Sequence, residues 1–168
     1  MNQRNANANE SFETHFLDET GFRTALDTVI AVANREIRIV DDRLERMRLD
    51  DAARAESLAQ FLAAAPMRRL HIILHDPQYA ETRSPRLHAL IRRFPNSIEV
   101  RESSAEFKHV ADCFLLADGI HGAIRFHRNH ARGKMLRNAA DGIHPWWQRF
   151  EELWRSATPC LAPTQIGL

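Results

Sequence analysis

The sequence EFKHVADCFLLADGIHGAIRFHRN, residues 106–129, carries the strongest local structural signal in the chain. Its apolar run Cys113–Ala117 is closed by Asp118 and Gly119, and a second short apolar run follows at residues 123–126. Bounded apolar runs of this length are typical of buried strands, and Asp-Gly is the strongest short signal for a hairpin. The sequence therefore predicts two neighbouring strands that pair antiparallel.

Helix and strand patterns alternate before this stretch. Apolar residues return at every third or fourth position over residues 19–34, which predicts an amphipathic helix. The same reasoning predicts helices at 51–63, 85–94 and 144–157, and short strands at 37–40, 70–74 and 98–100. Such alternation is typical of a parallel sheet with covering helices. The predicted fold class is therefore α/β, with a mixed, mostly parallel sheet flanked by helices on both faces.

The length of the chain sets its domain organisation. A chain of 168 residues with 44% hydrophobic content is long enough to bury one core of ordinary size. We predict a flexible N-terminal tail at residues 1–18, one α/β domain at residues 19–157 and an irregular C-terminal tail at residues 158–168. In a sheet of this kind, ligands bind beyond the carboxyl ends of the parallel strands, near Asp41, His75 and Arg101.

Charge and cysteine usage exclude several classes of protein. A net charge of +1 gives no global case for binding to nucleic acid or to a membrane surface. Cys113 and Cys160 stand far apart, which argues against a disulfide framework and against a structural zinc site. No run approaches the roughly 20 apolar residues that span a bilayer, and no signal peptide is visible. We predict a cytoplasmic protein without metal or other cofactor.

The organisation of the chain resembles one half of a phospholipase D-type domain. The resemblance rests on an apolar strand that ends in Asp118-Gly119, late in a chain of alternating helices and strands and ahead of a Trp-rich terminal helix. It covers residues 19–157 and implies the fold. Members of that superfamily carry His-x-Lys-x-x-x-x-Asp on this strand and Gly-Ser-x-Asn on the next.

The catalytic motif of that superfamily is degenerate in this sequence. When the aspartate of the motif is aligned with Asp118, Ala111 stands at the position of the nucleophilic histidine and Cys113 at that of the lysine. Arg125 and Phe126 stand where Gly-Ser is expected. The resemblance therefore implies a domain that has lost its catalytic residues, of the kind found in uncharacterised bacterial proteins.

His109 is the candidate for residual catalysis. On a regular strand it would share a face with Ala111 at a distance of about 7 Å along the chain. From there it could serve a divergent, metal-independent phosphodiesterase or nuclease. The alternative is a partly exposed histidine at the end of a strand, because no orienting partner is evident.

A basic cluster supplies the candidate ligand-binding residues. Five cations fall within thirteen residues that contain no acid, and we interpret this segment as one loop. They are Arg125, Arg128, Arg132, Lys134 and Arg137. Several arginines in one loop would suit a phosphate. The alternative is a solvated loop whose arginines pair with acids elsewhere, such as Glu151 and Glu152.

These observations predict a non-catalytic phospholipase D-like domain. It would bind an anionic, phosphate-containing ligand, with nucleic acid as one possibility, or a protein partner, through the former active-site face. The first alternative is the divergent phosphodiesterase that uses His109, and the second is a structural or regulatory subunit that makes protein contacts only. Active members of the superfamily bring two halves together, so the resemblance also implies a homodimer.

Overall fold

The computed structural model describes residues 10–163, and the parts of the two predicted tails at 1–9 and 164–168 lie outside that range. The helices are α1 (Glu19–Val32), α2 (Ala52–Ala63), α3 (Gln78–Arg83), α4 (Pro85–Arg93) and α5 (Ala140–Ser156). The strands are β1 (Phe12–Phe16), β2 (Glu36–Asp41), β3 (Arg69–Leu74), β4 (Ile98–Glu102), β5 (Cys113–Ala117), β6 (His121–His127), β7 (His130–Arg137) and β8 (Thr158–Cys160). A short 3-10 helix at Ala105–Phe107 precedes β5. Within the described range, no helix is both long and apolar enough to span a bilayer.

The eight strands form one mixed sheet in the order β1-β7-β6-β5-β2-β3-β4-β8. Only β2, β3 and β4 pair in parallel, and the other five neighbouring pairs are antiparallel. The prediction of a mostly parallel sheet is therefore wrong. The reason is the length of the connections. Helical crossovers join β2 to β3 and β3 to β4, whereas short turns join β5, β6 and β7 and force two antiparallel pairs. The other three antiparallel pairs, β2–β5, β1–β7 and β4–β8, unite strands that are distant in sequence.

The Asp-Gly hairpin is confirmed. Strands β5 and β6 pair antiparallel, and Asp118 and Gly119 both have positive φ, at 57° and 72°. The Asp118 carboxylate also accepts hydrogen bonds from the backbone N–H groups of Asn34, Arg35 and Glu36, at 2.8, 2.7 and 2.9 Å. One side chain therefore stabilises the turn position and holds it against the start of β2.

Helices cover both faces of the sheet. The first face packs against α1, α2 and α4, and its core includes buried residues of alternating strand positions, among them Ile37, Ile39, Leu70 and Leu115. Helix α1 begins at the Asp18 cap, whose carboxylate accepts a hydrogen bond from the Gly21 N–H at 2.7 Å. The second face packs against α5 in a separate apolar cluster. The amphipathic α1 and the two-sided apolar strands account for this layering.

The second face also carries charged and polar side chains, which tryptophans of α5 cover. The guanidinium of Arg38 lies 3.7 Å from the ring centre of Trp147. The ring of His71 stacks on Trp154 with 4.8 Å between ring centres, and the guanidinium of Arg101 lies 3.9 Å from the same ring centre. Cation–π contacts and ring stacking allow these polar groups to lie under a helix.

Three segments form strands that the sequence analysis did not predict. Strand β1 lies inside the expected flexible tail, β8 lies inside the expected irregular C-terminal tail, and β7 occupies most of the expected basic loop. Each is short or polar, and β1 and β8 pair with strands that are distant in sequence. Their stability therefore comes from partner strands, which local sequence patterns do not reveal.

Gly133 fixes the packing of β1 and β7 on β6. A Cβ atom added at Gly133 would lie 1.8 Å from the carbonyl oxygen of Ile124 and 2.5 Å from the ring of Phe16. We expect Gly133→Ala to lower the free energy of unfolding by about 2 kcal/mol or more, because the backbone of β6 must move. In chemical denaturation, Gly142→Ala in α5 is the matched control and should change that free energy by less than about 1 kcal/mol. Equal effects of the two substitutions would contradict this account of β7.

Candidate functional site

The candidate site is the end of the sheet at which the parallel strands finish, which we call the carboxyl end. Strands β2, β3 and β4 end there at Asp41, Leu74 and Glu102. Because β5 is antiparallel to β2, it begins at the same end, and the turn between β6 and β7 lies beside it. The polar residues that follow β2, β3 and β4 are thereby brought together, as expected for a ligand-binding position in such a sheet.

Ala111 and Cys113, the positions that the resemblance aligns with the catalytic histidine and lysine, lie at this end. Ala111 precedes β5, and its carbonyl oxygen accepts a hydrogen bond from the Arg128 N–H at 2.7 Å. Cys113 is buried, and burial followed by the proximity of Asp41 raises the pKa of its thiol. A thiol that stays protonated is a poor nucleophile and cannot replace a lysine cation.

Asp41 supports the loop that follows β2. Its side chain is buried, and Oδ2 accepts a hydrogen bond from the Leu44 N–H at 2.6 Å. Burial raises the pKa of the Asp41 carboxyl, although the hydrogen bonds from Cys113 and Leu44 oppose the shift. Leu44 has a positive φ of 68°, a conformation that costs energy for a branched residue and that this hydrogen bond stabilises. Asp41 is therefore a structural residue of the site.

His75 is the buried titratable side chain of the carboxyl end. It is 5% exposed, and its Nδ1 lies 2.7 Å from the hydroxyl oxygen of Ser103, which is also buried. Its Nε2 is buried and has no hydrogen-bond partner among residues 10–163. Burial lowers the pKa of His75, and the nearby Asp42 carboxylate opposes that shift. The imidazole is therefore neutral near pH 7, and one of its ring nitrogens remains available for a further hydrogen bond.

Three ion pairs surround His75. The Lys108 amine donates a hydrogen bond to the backbone carbonyl of His75 at 2.5 Å and lies 3.5 Å from a carboxylate oxygen of Glu102. Arg128 pairs with Asp42 at 3.1 Å. Arg149 of α5 pairs with Asp112 at 3.3 Å, and the other carboxylate oxygen of Asp112 is buried without a hydrogen-bond partner in the described part of the chain. The site is thus polar, with its cations and acids in near balance.

Arg125, the first member of the basic cluster, is committed to the core. It is 2% exposed, and its two terminal nitrogens donate to the two carboxylate oxygens of Glu19 at 2.8 and 2.9 Å. Its guanidinium also lies 5.2 Å from the ring centre of Phe22. The hydrogen bond from Arg125 lowers the pKa of the Glu19 carboxyl. The two charges join α1 to β6, so Arg125 has a structural partner and no access to solvent.

The remaining four cations do not form one cluster. Arg128 lies in the β6–β7 turn, whereas the other three lie along β7, so the interpretation of this segment as one loop is wrong. Arg132 is exposed and Lys134 is half-buried, and neither forms an ion pair within residues 10–163. At about 3.3 Å per residue, Arg137 lies roughly 16 Å from Arg132 along the strand. Strand geometry therefore leaves only Arg128 and Arg132 near the carboxyl end.

His109 lies in the loop between the 3-10 helix and β5, so its position relative to Ala111 does not follow from strand alternation. Its side chain is exposed, and it forms no hydrogen bond or ion pair with any other described residue. A catalytic role for His109 stays a prediction. The sequence analysis named His75 at a ligand-binding strand end but missed its pairing with Ser103, because the two residues are separated by 28 positions and only the ends of β3 and β4 unite them.

A cavity of about 700 Å³ lies beside the carboxyl end, on the first face of the sheet. It is bordered by the start of α2, the start of α4 and the side chains of Arg48 and Arg86. Both arginines already have acidic partners, Asp51 at 3.2 Å and Asp50 at 3.8 Å. Arg83 also borders the cavity and forms no ion pair within residues 10–163, but the three arginines are matched in number by Glu45, Asp50 and Asp51. The cavity therefore has no net positive charge for an anion.

One family model matches residues 18–163, almost the whole described chain, and its description is "Domain of unknown function (DUF7931)". The chain belongs to the DUF7931 family. None of the curated proteins matches the sequence of this DUF7931 domain.

Solved structures establish the fold of the DUF7931 domain. The phospholipase D family member Nuc from Salmonella typhimurium superposes with a TM-score of 0.60 at 15% identity, over 90% of this chain and 99% of that one. NucT from Helicobacter pylori gives a TM-score of 0.59 at 12% identity, over 90% and 100%. These similarities show a phospholipase D-like fold, which confirms that part of the resemblance.

A larger protein shares the same fold. The archaeal chromatin protein TrmBL2, whose structure shows a mode of DNA binding, superposes with a TM-score of 0.64 at 12% identity over 88% of this chain. The DUF7931 domain spans about half of TrmBL2, 54% of its length. At these identities the similarity concerns the fold alone.

The buried, neutral His75 predicts a pH dependence of stability. Its ordinary pKa is 6.5 and burial lowers it in the folded chain. Below about pH 6.5 the unfolded chain therefore takes up a proton that the folded chain resists, and the free energy of unfolding falls as the pH falls. We expect His75→Gln to reduce this slope, measured by chemical denaturation between about pH 7 and pH 5. Burial also lowers the pKa of His121, so part of the slope should remain.

The exposed His109 provides the matched control for that measurement. His109→Gln removes a histidine that no other described residue contacts, so we expect it to retain the slope of the wild type. If His75→Gln and His109→Gln gave the same slope as the wild type, His75 would not be the buried neutral group described above.

Proposed function

We propose that this chain is a non-catalytic phospholipase D-like domain that binds a phosphate-containing ligand at the carboxyl end of its sheet. The observation that carries the non-catalytic part is the chemistry at two positions. Ala111 has no side-chain nucleophile, and Cys113 is buried with a raised pKa beside Asp41. Neither residue can form a covalent phosphoryl intermediate or neutralise its charge, which nucleophilic catalysis requires.

The β6–β7 turn supports the ligand class. It presents Arg128 at its tip and Arg132 two residues into β7, and the rings of His127 and His130, which flank the turn, lie 5.5 Å apart. Arginine forks bind phosphate oxygens by paired hydrogen bonds. The Asp42 partner of Arg128 is itself only half-buried, so a phosphate could take its place at low cost. Phe126 is 48% exposed near the same turn and offers a ring on which a base could stack.

The partner predictions belong to the same proposal. Nucleic acid is a phosphate-containing ligand that such a surface would bind, and TrmBL2 is a DNA-binding protein of the same fold. A protein partner at the carboxyl end is the alternative, because Lys108, Arg128 and Arg149 already have acidic partners. The resemblance to active members of the superfamily further supports a second copy of the chain as a partner.

Salt-dependent binding of a fluorescein-labelled single-stranded DNA tests the ligand. We expect affinity to fall as salt rises from about 50 to 200 mM, because each neutralised phosphate releases counterions. Arg128→Gln with Arg132→Gln should weaken binding about tenfold and reduce the slope of log affinity against log salt by about 1.4, or 0.7 per phosphate contact. Arg125 is left unchanged, because its replacement would leave the Glu19 carboxylate without its partner and would break the contact between α1 and β6.

The matched control is Arg92→Gln with Arg93→Gln, which removes the same charge from exposed positions in the last turn of α4, at the opposite end of the sheet. It should bind like the wild type. Equal losses in the two double variants would indicate a general charge effect, and the carboxyl end would not be the site. Binding that is absent for DNA and also for inorganic pyrophosphate would overturn the ligand class and favour a structural or regulatory subunit.

Hydrolysis tests the non-catalytic part. With an activated phosphodiester and with single-stranded DNA, we expect the wild type to show no turnover above that of His109→Ala, with or without a chelator. The reason is that exposed His109 has no described partner to orient it. Turnover that survives the chelator and disappears in His109→Ala would instead identify a divergent, metal-independent phosphodiesterase.

A further inference from the structure

Strand β1 ends the sheet on one side and offers a free backbone edge. Its five residues pair with β7 on one side, and its outer side has no partner among residues 10–163. The opposite end of the sheet is protected, because β8 has three residues and contains Pro159. Two large apolar side chains beside the β1 edge are exposed, Phe12 at 50% and Leu17 at 77%. A free edge with exposed apolar groups is able to pair with another strand.

The sequence of β1 is complementary to itself. It reads Phe12-Glu13-Thr14-His15-Phe16, so reversal places an aromatic residue on an aromatic residue and an acid on a histidine. We propose that two copies of this chain associate through their β1 strands, which pair antiparallel about a two-fold axis at Thr14 and join the two sheets. The occupant of the free edge is thus a second copy, and its recognition is independent of the proposed phosphate ligand.

Charge complementarity selects this register. A two-fold axis perpendicular to the sheet leaves each side chain on the same face of the joined sheet. Alternative registers of the two strands therefore differ from one another by an even number of residues. With the axis at Thr14, Glu13 lies opposite His15 of the second copy, twice in the dimer. An axis at Glu13 would place two carboxylates opposite each other, and an axis at His15 would place two imidazoles opposite each other. Within one copy, His15 and Glu13 already lie 3.2 Å apart on this face, so carboxylate and imidazole groups would alternate across the two strands.

The other face of β1 provides the apolar contact. An open groove of about 450 Å³ runs between β1 and α1, bordered by Thr14, Phe16, Leu17 and Thr24. In the proposed register, Phe12 of the second copy lies opposite Phe16, at the mouth of this groove. The exposed ring of Phe12 would therefore leave water as the strands pair. Burial of this ring and of Leu17 supplies the hydrophobic part of the association.

This arrangement differs from the dimer that the superfamily resemblance implies. Because the two β1 strands run in opposite directions, the carboxyl end of one copy and that of the other lie at opposite ends of the joined sheet. The two former active sites would not meet. Substitutions in β1 should therefore change the oligomeric state and leave DNA binding by each copy unchanged, which separates this proposal from the proposed function.

Charge reversal tests the register by light scattering and sedimentation equilibrium at tens of micromolar. We expect a wild-type dimer. Glu13→Lys and His15→Glu should each weaken association about tenfold, because like charges or unmatched groups then lie opposite in both symmetric pairs. An equimolar mixture of the two variants should form a heterodimer, since each mismatch is then relieved across the two-fold axis. Recovery in the mixture cannot be explained by misfolding of either variant.

Cysteine crosslinking tests the position of the axis. Directly opposed residues of antiparallel strands have Cα atoms about 4.5–5.5 Å apart, within reach of a disulfide. Thr14→Cys should therefore form an intermolecular disulfide under mild oxidation. Glu13→Cys is the matched control and should crosslink far less, because it lies opposite residue 15. The wild type, with buried Cys113 and half-buried Cys160, gives the background.

Several results would overturn the proposal. One is a wild type that is monomeric at tens of micromolar. Another is a dimer whose affinity is the same in Glu13→Lys as in Glu56→Lys, a control on the exposed side of α2. Equal crosslinking of Thr14→Cys and Glu13→Cys would exclude the Thr14 axis. A dimer that Arg128→Gln weakens and Glu13→Lys does not would place the contact at the carboxyl end instead.

Discussion

The Asp118 carboxylate is the interaction on which the rest of the structure depends. The sheet consists of a parallel unit, β2 to β4, and a hairpin unit, β5 to β7, which meet where β5 pairs with β2. Asp118 lies in the turn of the hairpin unit and accepts three backbone N–H groups at the start of the parallel unit. Hydrogen bonds to a charged acceptor contribute about 1.5–3 kcal/mol each. They fix the register of β5 on β2, which in turn places residues 108–113 at the carboxyl end beside His75.

Sequence patterns predicted the elements whose cause is local. The periodicity of α1 and the Asp118-Gly119 signal each depend on a few neighbouring residues, and the structure contains both elements close to the expected bounds. The strand pairing was less predictable. Strand β1 pairs with residues 133–137, more than a hundred positions away, and its side chains are mostly exposed, so no apolar alternation marks it. The parallel character was overestimated for a related reason, because helix-strand alternation describes only the first half of the sheet.

The candidate site shows the same division between local and distant causes. The alignment of Ala111 and Cys113 with the catalytic positions of the superfamily depends only on the fixed spacing of its motif, so it could be made from the sequence alone. The prediction that the basic cluster forms one loop was wrong, because its members are close along the chain but most of them lie along the extended strand β7. Arg125 pairs with Glu19, 106 positions away, and no local signal distinguishes a buried arginine from a ligand-binding one. The contact between His75 and Ser103 was not predicted for the same reason, because it joins positions that are 28 residues apart.

The proposed absence of catalysis and the proposed pairing of β1 edges are compatible in one physical account. An enzyme assembled from two half-sites must keep its two carboxyl ends in contact, so its dimer interface is fixed by chemistry. A domain without catalysis would have no such requirement, and its oligomeric contact could lie wherever apolar burial and charge complementarity favour it. In this chain those conditions coincide on β1. A dimer joined there would carry its two β6–β7 turns at opposite ends of one continuous sheet. Each turn would then bind the proposed phosphate ligand without a contribution from the other copy, because the length of the joined sheet separates the two turns.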